Sequence, residues 1–175
     1  MHERIRPQMA EEAEAVFLEA MQKGWAAGYG CDNRTEFEKG PWRVVDQWLV
    51  GSEGHSAGWT AQYLHDLPFW QMHYQGRYDK QAIPFVKHAL LMNYTNRVFY
   101  AGRGPTRIEK RCDIGLLRYE MLPDNDARMG LPYSGYDDFS GIEKVWLIQD
   151  DPAMSRKFMN PLGFHRVQGM RLQYV

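Results

Sequence analysis

Cysteine is scarce in this chain, and long apolar runs are missing from it. Cys31 and Cys112 are the only two cysteines among 175 residues, too few for a disulfide framework, which favours a reduced intracellular setting. No run approaches the roughly 18 apolar residues of a membrane span, and the charged N-terminus lacks the apolar core of a signal peptide. We therefore expect a soluble, cytoplasmic protein with no membrane partner.

An excess of either charge is also missing. The chain has 21 basic and 22 acidic residues, and its formal net charge is −1. Without a basic excess it lacks the electrostatic footprint that binds nucleic acid or an anionic membrane, so we expect neither as a partner. The length fits a single domain, residues 1–175, that can bury a core without disulfides or metals.

Recognisable catalytic and metal-binding signatures are missing as well. His65 and His73 fall on neighbouring strands of a predicted hairpin, but their spacing matches no recurrent zinc pattern, and alternation places His73 on the polar face. Cys31 follows glycines in a loop, yet no base for a nucleophilic thiol is evident. The glycine-bearing segment at Gly102 lacks the strand-to-helix context of a phosphate loop. The sequence therefore predicts no metal and no cofactor.

The chain contains two stretches with the same sequence pattern. Glycines and arginines recur in the same order within two aromatic-rich stretches. The matched positions are Gly40 with Gly115, Arg43 with Arg118, and Gly58 with Gly141. Such repetition predicts architecture but names no reaction. We expect an internal repeat covering about residues 9–78 and 79–175.

Periodicity gives each copy a helix followed by three strands. Apolar residues recur at helical spacing from Met9 to about Trp25 and from about Gln81 to Tyr94. Period-two alternation and short links predict hairpins, whose strands must pair antiparallel. We therefore predict an α+β fold, in which duplicated α-β-β-β units form a six-stranded, mostly antiparallel, twisted sheet with two helices on one face. The loop at residues 123–138, a ligand or the second copy of a homodimer would cover the other face.

Aromatic residues make up 14% of the chain and fall mostly in the predicted strands. Most should be core, and the remainder would line a ligand cavity. Asp46 and Glu143 fall by alternation on apolar faces, where a carboxylate must be paired, solvated or protonated. An exposed strand end or an arginine partner would explain them structurally, and a polar contact in an aromatic cleft would explain them functionally. The predicted ligand-binding residues are Trp42, Asp46, Trp48, Trp59, Trp70, Tyr74, Tyr119, Glu143 and Trp146.

Four segments carry a family resemblance. They are FEKGPWRVVD from Phe37, HSAGWTAQYL from His55, LPFWQMHYQG from Leu67 and DFSGIEKVWL from Asp138. Over roughly residues 17–175 the chain resembles a bacterial family of unknown function, whose members occur alone or behind a Cro-type helix-turn-helix in predicted regulators. The resemblance implies a stand-alone version of a domain that senses something elsewhere, and it supplies no catalytic residues. We expect no helix-turn-helix here, so DNA binding is not implied.

Three functions remain open at this point. The leading one is a cytoplasmic domain of sensor type that binds a small apolar or aromatic ligand in a cleft between the two repeats. The second is an enzyme that uses Asp46 or Glu143 as general acid or base on a hydrophobic substrate. The third is a structural dimerisation module. A cavity would separate the first two from the third, and turnover would separate the first from the second.

Overall fold

The computed structural model describes residues 7–28, 30, 32–124, 135–151 and 156–172, so Cys31 lies outside the described residues. Two helices, α1 (Pro7–Gln22) and α2 (Ile83–Thr95), accompany eight strands in this part of the chain. The strands are β1 (Arg34–Lys39), β2 (Trp42–Val50), β3 (His55–Leu64), β4 (Leu67–Tyr78), β5 (Arg107–Cys112), β6 (Gly115–Pro123), β7 (Asp138–Asp151) and β8 (Arg156–Arg171). No described helix has the length and apolar character needed to span a membrane.

The described strands form one antiparallel sheet. Their order is β1-β2-β3-β4-β8-β7-β6-β5, and every neighbouring pair runs antiparallel. The predicted α+β class, with an antiparallel sheet and two helices, is therefore confirmed. Because β4 and β8 pair at the centre, the runs β1 to β4 and β5 to β8 each form one half of the sheet. That the halves are copies of each other stays a prediction, which their superposition would test.

The predicted number of six strands is wrong, because each half has a further strand at its outer edge. β1 and β5 are each six residues long and form hairpins with β2 and β6. Charged residues fall on both faces of these strands, so the apolar alternation that marks a core strand is weak there. Short, charged edge strands also limit pairing with other chains. Each half therefore has the order α-β-β-β-β.

Both helices lie on one face of the sheet, and α1 ends earlier than the sequence predicts. α1 contacts β1 and β2, α2 contacts β5 and β6, and the two helices contact each other. α1 ends at Gln22, and Trp25–Ala27 form a separate 3-10 turn that closes at Gly28 with a φ of 85°. Phe17 of α1 is fully buried, and its ring centroid lies 4.9 Å from that of Trp70 on β4.

Buried polar contacts fix α1 and the chain before β7 on this same face. Gln62 of β3 is fully buried, and its Nε2 donates to the carbonyl of Ala13 at 3.0 Å. The Tyr136 hydroxyl donates to Gln62 Oε1, and Trp70 Nε1 donates to the Tyr136 carbonyl at 2.7 Å. The described end of the predicted loop at residues 123–138 therefore packs beside the helices, and the expectation that this part covers the other face is wrong.

The face opposite the helices carries its own polar cover. Arg43 lies 3.3 Å from Glu36 and 4.3 Å from the centroid of the Tyr63 ring. In the other half, Arg118 lies 2.8 Å from Glu109. Such surface ion pairs add little to stability, but they keep the long side chains spread over the apolar parts of the sheet.

Phe17→Ala should lower the free energy of unfolding by about 3–5 kcal/mol, because it empties the space where α1 meets the sheet. Glu12 is exposed on the same helix, so Glu12→Ala should change stability by less than about 0.5 kcal/mol. Denaturant melts of the two variants measure the difference. Similar, small losses in both would contradict the packing of α1.

Candidate functional site

A cavity of about 410 Å³ lies between the two helices and the sheet, mostly against the first half. Its volume falls within the range of small-molecule pockets. Part of the wall is apolar and includes Trp25, Trp48, Met72 and Leu90. The remainder is polar and includes Asp46, Ser56, Tyr74, Tyr94, Arg103 and His165. β2, β3 and β4 of the first half contribute, together with α2, the loop after it, and β8 of the second half.

Glycines on the neighbouring strands make room for two of the polar side chains. Gly58 of β3 pairs with Tyr74 of β4, and a Cβ at Gly58 would lie 2.5 Å from the Tyr74 hydroxyl oxygen. Gly76 of β4 pairs with His165 of β8, and a Cβ at Gly76 would lie 2.6 Å from the imidazole Cδ2. The sheet therefore accommodates both rings on its inner face because no side chain stands opposite them.

Asp46 is a buried carboxyl at the wall of the cavity, with 3% of its surface exposed. The hydroxyls of Thr60 and Tyr74 donate to its Oδ1 at 2.8 and 3.0 Å. Burial raises the pKa of Asp46, against the opposing effect of these two hydrogen bonds and of the nearby Arg103 guanidinium. Asp46 therefore holds a proton to a higher pH than an exposed aspartate does.

Glu143 of β7 is a fully buried carboxylate just behind the cavity wall. The Tyr119 hydroxyl donates to its Oε2 at 2.6 Å, and the Tyr78 hydroxyl donates to its Oε1. Arg103 Nη1 lies 3.6 Å from Oε1. Burial opposes the charge on Arg103, yet the Glu143 carboxylate raises the pKa of Arg103 above its ordinary value. The two form a buried ion pair with hydroxyl support.

Arg103 reaches this position because the loop that carries it runs close to the sheet. A Cβ at Gly104 would lie 1.9 Å from the Tyr119 hydroxyl oxygen, and Gly102 has a φ of 89°, in the left-handed region that favours glycine. Asn93 of α2 anchors the loop, since its Nδ2 donates to the Arg103 carbonyl at 2.8 Å. In the sequence, the arginine between two glycines, Gly102 and Gly104, is the pattern that could have indicated this close approach.

Ser56, His165 and Glu143 are arranged like the serine, histidine and acid of a serine-hydrolase triad. Arg103, however, reverses the direction of the hydrogen bond between His165 and Ser56. Ser56 Oγ lies 3.0 Å from His165 Nε2, and His165 Nδ1 lies 3.5 Å from Glu143 Oε1. However, Arg103 Nη1 hydrogen-bonds to the same Nδ1 at 3.2 Å. A guanidinium can only donate, so Nδ1 accepts, and the ring proton sits on Nε2 and is donated to Ser56. His165 is therefore not placed to take the Ser56 proton.

The titration of His165 agrees with this assignment. Burial, supported by the Arg103 charge, lowers the pKa of His165 from 6.5 to about 4, while Glu143 acts in the opposite direction. The imidazole is therefore neutral at pH 7 and has one ring nitrogen that donates and one that accepts.

The nine residues predicted from the sequence fall into four groups. Asp46, Trp48 and Tyr74 line the cavity. Tyr119 and Glu143 lie behind its wall and are hydrogen-bonded to each other. Trp42 and Trp70 are buried in the core. Trp59 and Trp146 are half-buried and lie outside the cavity lining, and Trp59 pairs with exposed His73 on the outer face.

The sequence missed Tyr78, Tyr94, Arg103 and His165, which complete the site. The described residues contain no group of three or more His, Cys, Asp or Glu side chains that could hold a metal ion.

Comparisons of the chain with protein-family models, with curated proteins and with solved structures find no match. The geometry of the site is therefore the basis for its interpretation.

The stability of the wild type should fall more steeply from pH 7 to pH 4 than that of His165→Gln. Since the pKa of His165 is about 4 in the fold against 6.5 ordinarily, the unfolded chain takes up this proton first. The contribution is complete above pH 6.5 and is lost as the pH falls to about 4, an effect of about 3 kcal/mol. The raised pKa of Asp46 acts in the opposite sense in both proteins. Denaturant melts of both proteins between pH 7 and pH 4 measure the free energy of unfolding. The same dependence on pH in both proteins would contradict the prediction.

Proposed function

We propose that this chain is a sensor-type domain that binds a small, largely apolar or aromatic molecule in its cavity. The observation that carries the proposal is the cavity of about 410 Å³ itself, whose lining combines apolar walls with buried polar side chains. Small-molecule sites combine these two features, because the apolar wall provides affinity and the few polar groups fix the orientation of the ligand.

A polar atom without a partner supports the proposal. Tyr94 is 1% exposed, and its hydroxyl, which lies beside the donating Arg103 guanidinium, has no hydrogen-bond acceptor for its proton among the described residues. Leaving a buried hydroxyl unpaired costs about 1–3 kcal/mol, so such groups call for an explanation. Because Tyr94 lines the cavity, a bound molecule can supply the missing partner.

The family resemblance is in keeping with this role. A domain that occurs alone, or behind a helix-turn-helix in predicted regulators, suits the binding of a small molecule as a signal. The sensory role of this chain is part of the same proposal, since binding is what such a role requires.

Trp48→Ala should weaken binding of ethylnaphthalene about tenfold, because it removes an aromatic wall of the cavity. Trp59 is the matched control, since it is a tryptophan on the same sheet outside the cavity lining. Trp59→Ala should leave the dissociation constant within about twofold and should cost less than the ~3–5 kcal/mol typical of a buried ring. Equilibrium dialysis and denaturant melts provide the measurements. Absence of binding to the wild type, or equal weakening in both variants, would contradict the proposal.

An enzyme that acts on a hydrophobic substrate by general acid catalysis is the second candidate. Asp46 favours it, because this carboxyl lines the cavity and its pKa is raised by burial. A carboxyl that keeps its proton to a higher pH than usual can pass that proton to a bound substrate.

The titration of Asp46 tests the premise of this second candidate. Carbon-13 NMR of labelled aspartate carboxyls should show one group titrating above the ordinary value of 3.8, and that signal should be missing from Asp46→Asn. An ordinary pKa for Asp46 would remove the observation that favours an enzyme and would leave the binding proposal intact.

A further inference from the structure

The polar part of the cavity lining contains two hydroxyl donors without acceptors among the described residues, those of Tyr94 and Ser56. The Tyr94 hydroxyl lies near the Arg103 guanidinium, which can only donate, so the hydroxyl proton has no acceptor in the described part of the chain. Ser56 Oγ accepts from His165 Nε2, which leaves the Ser56 proton available to a further acceptor. Both hydroxyls are therefore ready to donate to a bound molecule.

Most of the acceptor atoms nearby are already engaged, with Asp46 Oδ2 the exception among the hydrogen bonds of the described residues. Asp46 Oδ1 receives two hydroxyls, and both oxygens of Glu143 receive tyrosine hydroxyls. His165 Nδ1 receives Arg103. A ligand group that only donates would find these positions occupied, whereas a ligand group that accepts would complete the set of hydrogen bonds.

The charge of Arg103 is balanced before any ligand enters. The cation of Arg103 is paired with Glu143 at 3.6 Å, and Asp46 lines the same cavity. The two lysines of the lining do not supply a buried cation, since Lys80 is exposed and Lys87 lies 4.6 Å from the centroid of the Trp25 ring. A ligand carboxylate placed beside Arg103 would therefore be buried close to existing carboxyls without a buried cation of its own, which is costly.

We propose that the ligand ends in an uncharged hydrogen-bond acceptor of the carbonyl type. The carbonyl oxygen accepts the Tyr94 hydroxyl, and the apolar body lies against Trp48 and Leu90. The Ser56 hydroxyl is a further donor in the same lining. This inference rests on the proposed function and specifies the class of ligand that the same cavity takes.

Three probes of nearly equal shape test the inference: naphthyl methyl ketone, ethylnaphthalene and naphthoate. In equilibrium dialysis with the wild type, the ketone should bind about fivefold more tightly than ethylnaphthalene, as one added hydrogen bond allows. Naphthoate should bind more weakly than the ketone. Equal binding of the ketone and ethylnaphthalene, or tightest binding of naphthoate, would overturn the inference while leaving the cavity as a binding site.

Tyr94→Phe locates the effect. It removes only the unpaired hydroxyl, so the advantage of the ketone should disappear while ethylnaphthalene binds within about twofold of the wild type. Tyr63→Phe is the control, because Tyr63 lies under Arg43 on the outer face, and it should retain the advantage. A preference that survives in Tyr94→Phe would assign it to another group and refute the role of Tyr94. Failure of all three probes to bind the wild type would instead refute the proposed function itself.

Discussion

A carboxylate removed from water must be met by donors, and Glu143 places this requirement at the centre of the fold. Tyr78 on β4, Tyr119 on β6 and Arg103 in the loop after α2 meet it together. Since these groups come from both halves of the sheet, the register of one half against the other and the course of the loop are tied to a single side chain. The apolar core supplies most of the burial, while a network of this kind specifies one arrangement among the many that would bury similar area.

The same guanidinium connects this network to the cavity. Arg103 Nη1 lies 3.6 Å from Glu143 Oε1 and hydrogen-bonds to His165 Nδ1. The Cζ atom of Arg103 lies 4.6 Å from the centroid of the Tyr74 ring. Through the neutral imidazole its influence reaches the Ser56 hydroxyl. The ionic charges of the pair therefore balance each other, and the polar part of the lining beside them offers the hydroxyl groups of Ser56 and Tyr94 to a ligand. This arrangement suits recognition of a neutral molecule more than that of an ion.

The sequence pattern was sufficient to predict which face of the sheet a residue lies on wherever buried and exposed side chains alternate along a strand. Period two correctly placed Asp46 and Glu143 on the inner face and His73 on the outer face. The edge strands β1 and β5 were not predicted, because charges fall on both of their faces and remove the alternation. Arg103 and His165 were not identified as site residues for a different reason. Arg103 is buried because its loop crosses the sheet, and His165 is buried because β4 pairs with β8. Contacts between residues so far apart in the chain leave no periodic trace in it.

Stability alone does not account for this polar interior. Apolar residues of similar volume in place of a buried ion pair are often neutral or stabilising, so the pair of Arg103 and Glu143 is not required for a stable core. A phenylalanine at Tyr94 would remove an unpaired hydroxyl, and larger side chains would fill the cavity, where each methyl-sized void costs about 1 kcal/mol. A module whose only task was to fold or to dimerise would gain from both changes. Under the proposed function, a bound ligand would supply the missing apolar contacts and the missing acceptor at the same time. One molecule would then account for both the void and the Tyr94 hydroxyl, which a purely structural role leaves unexplained.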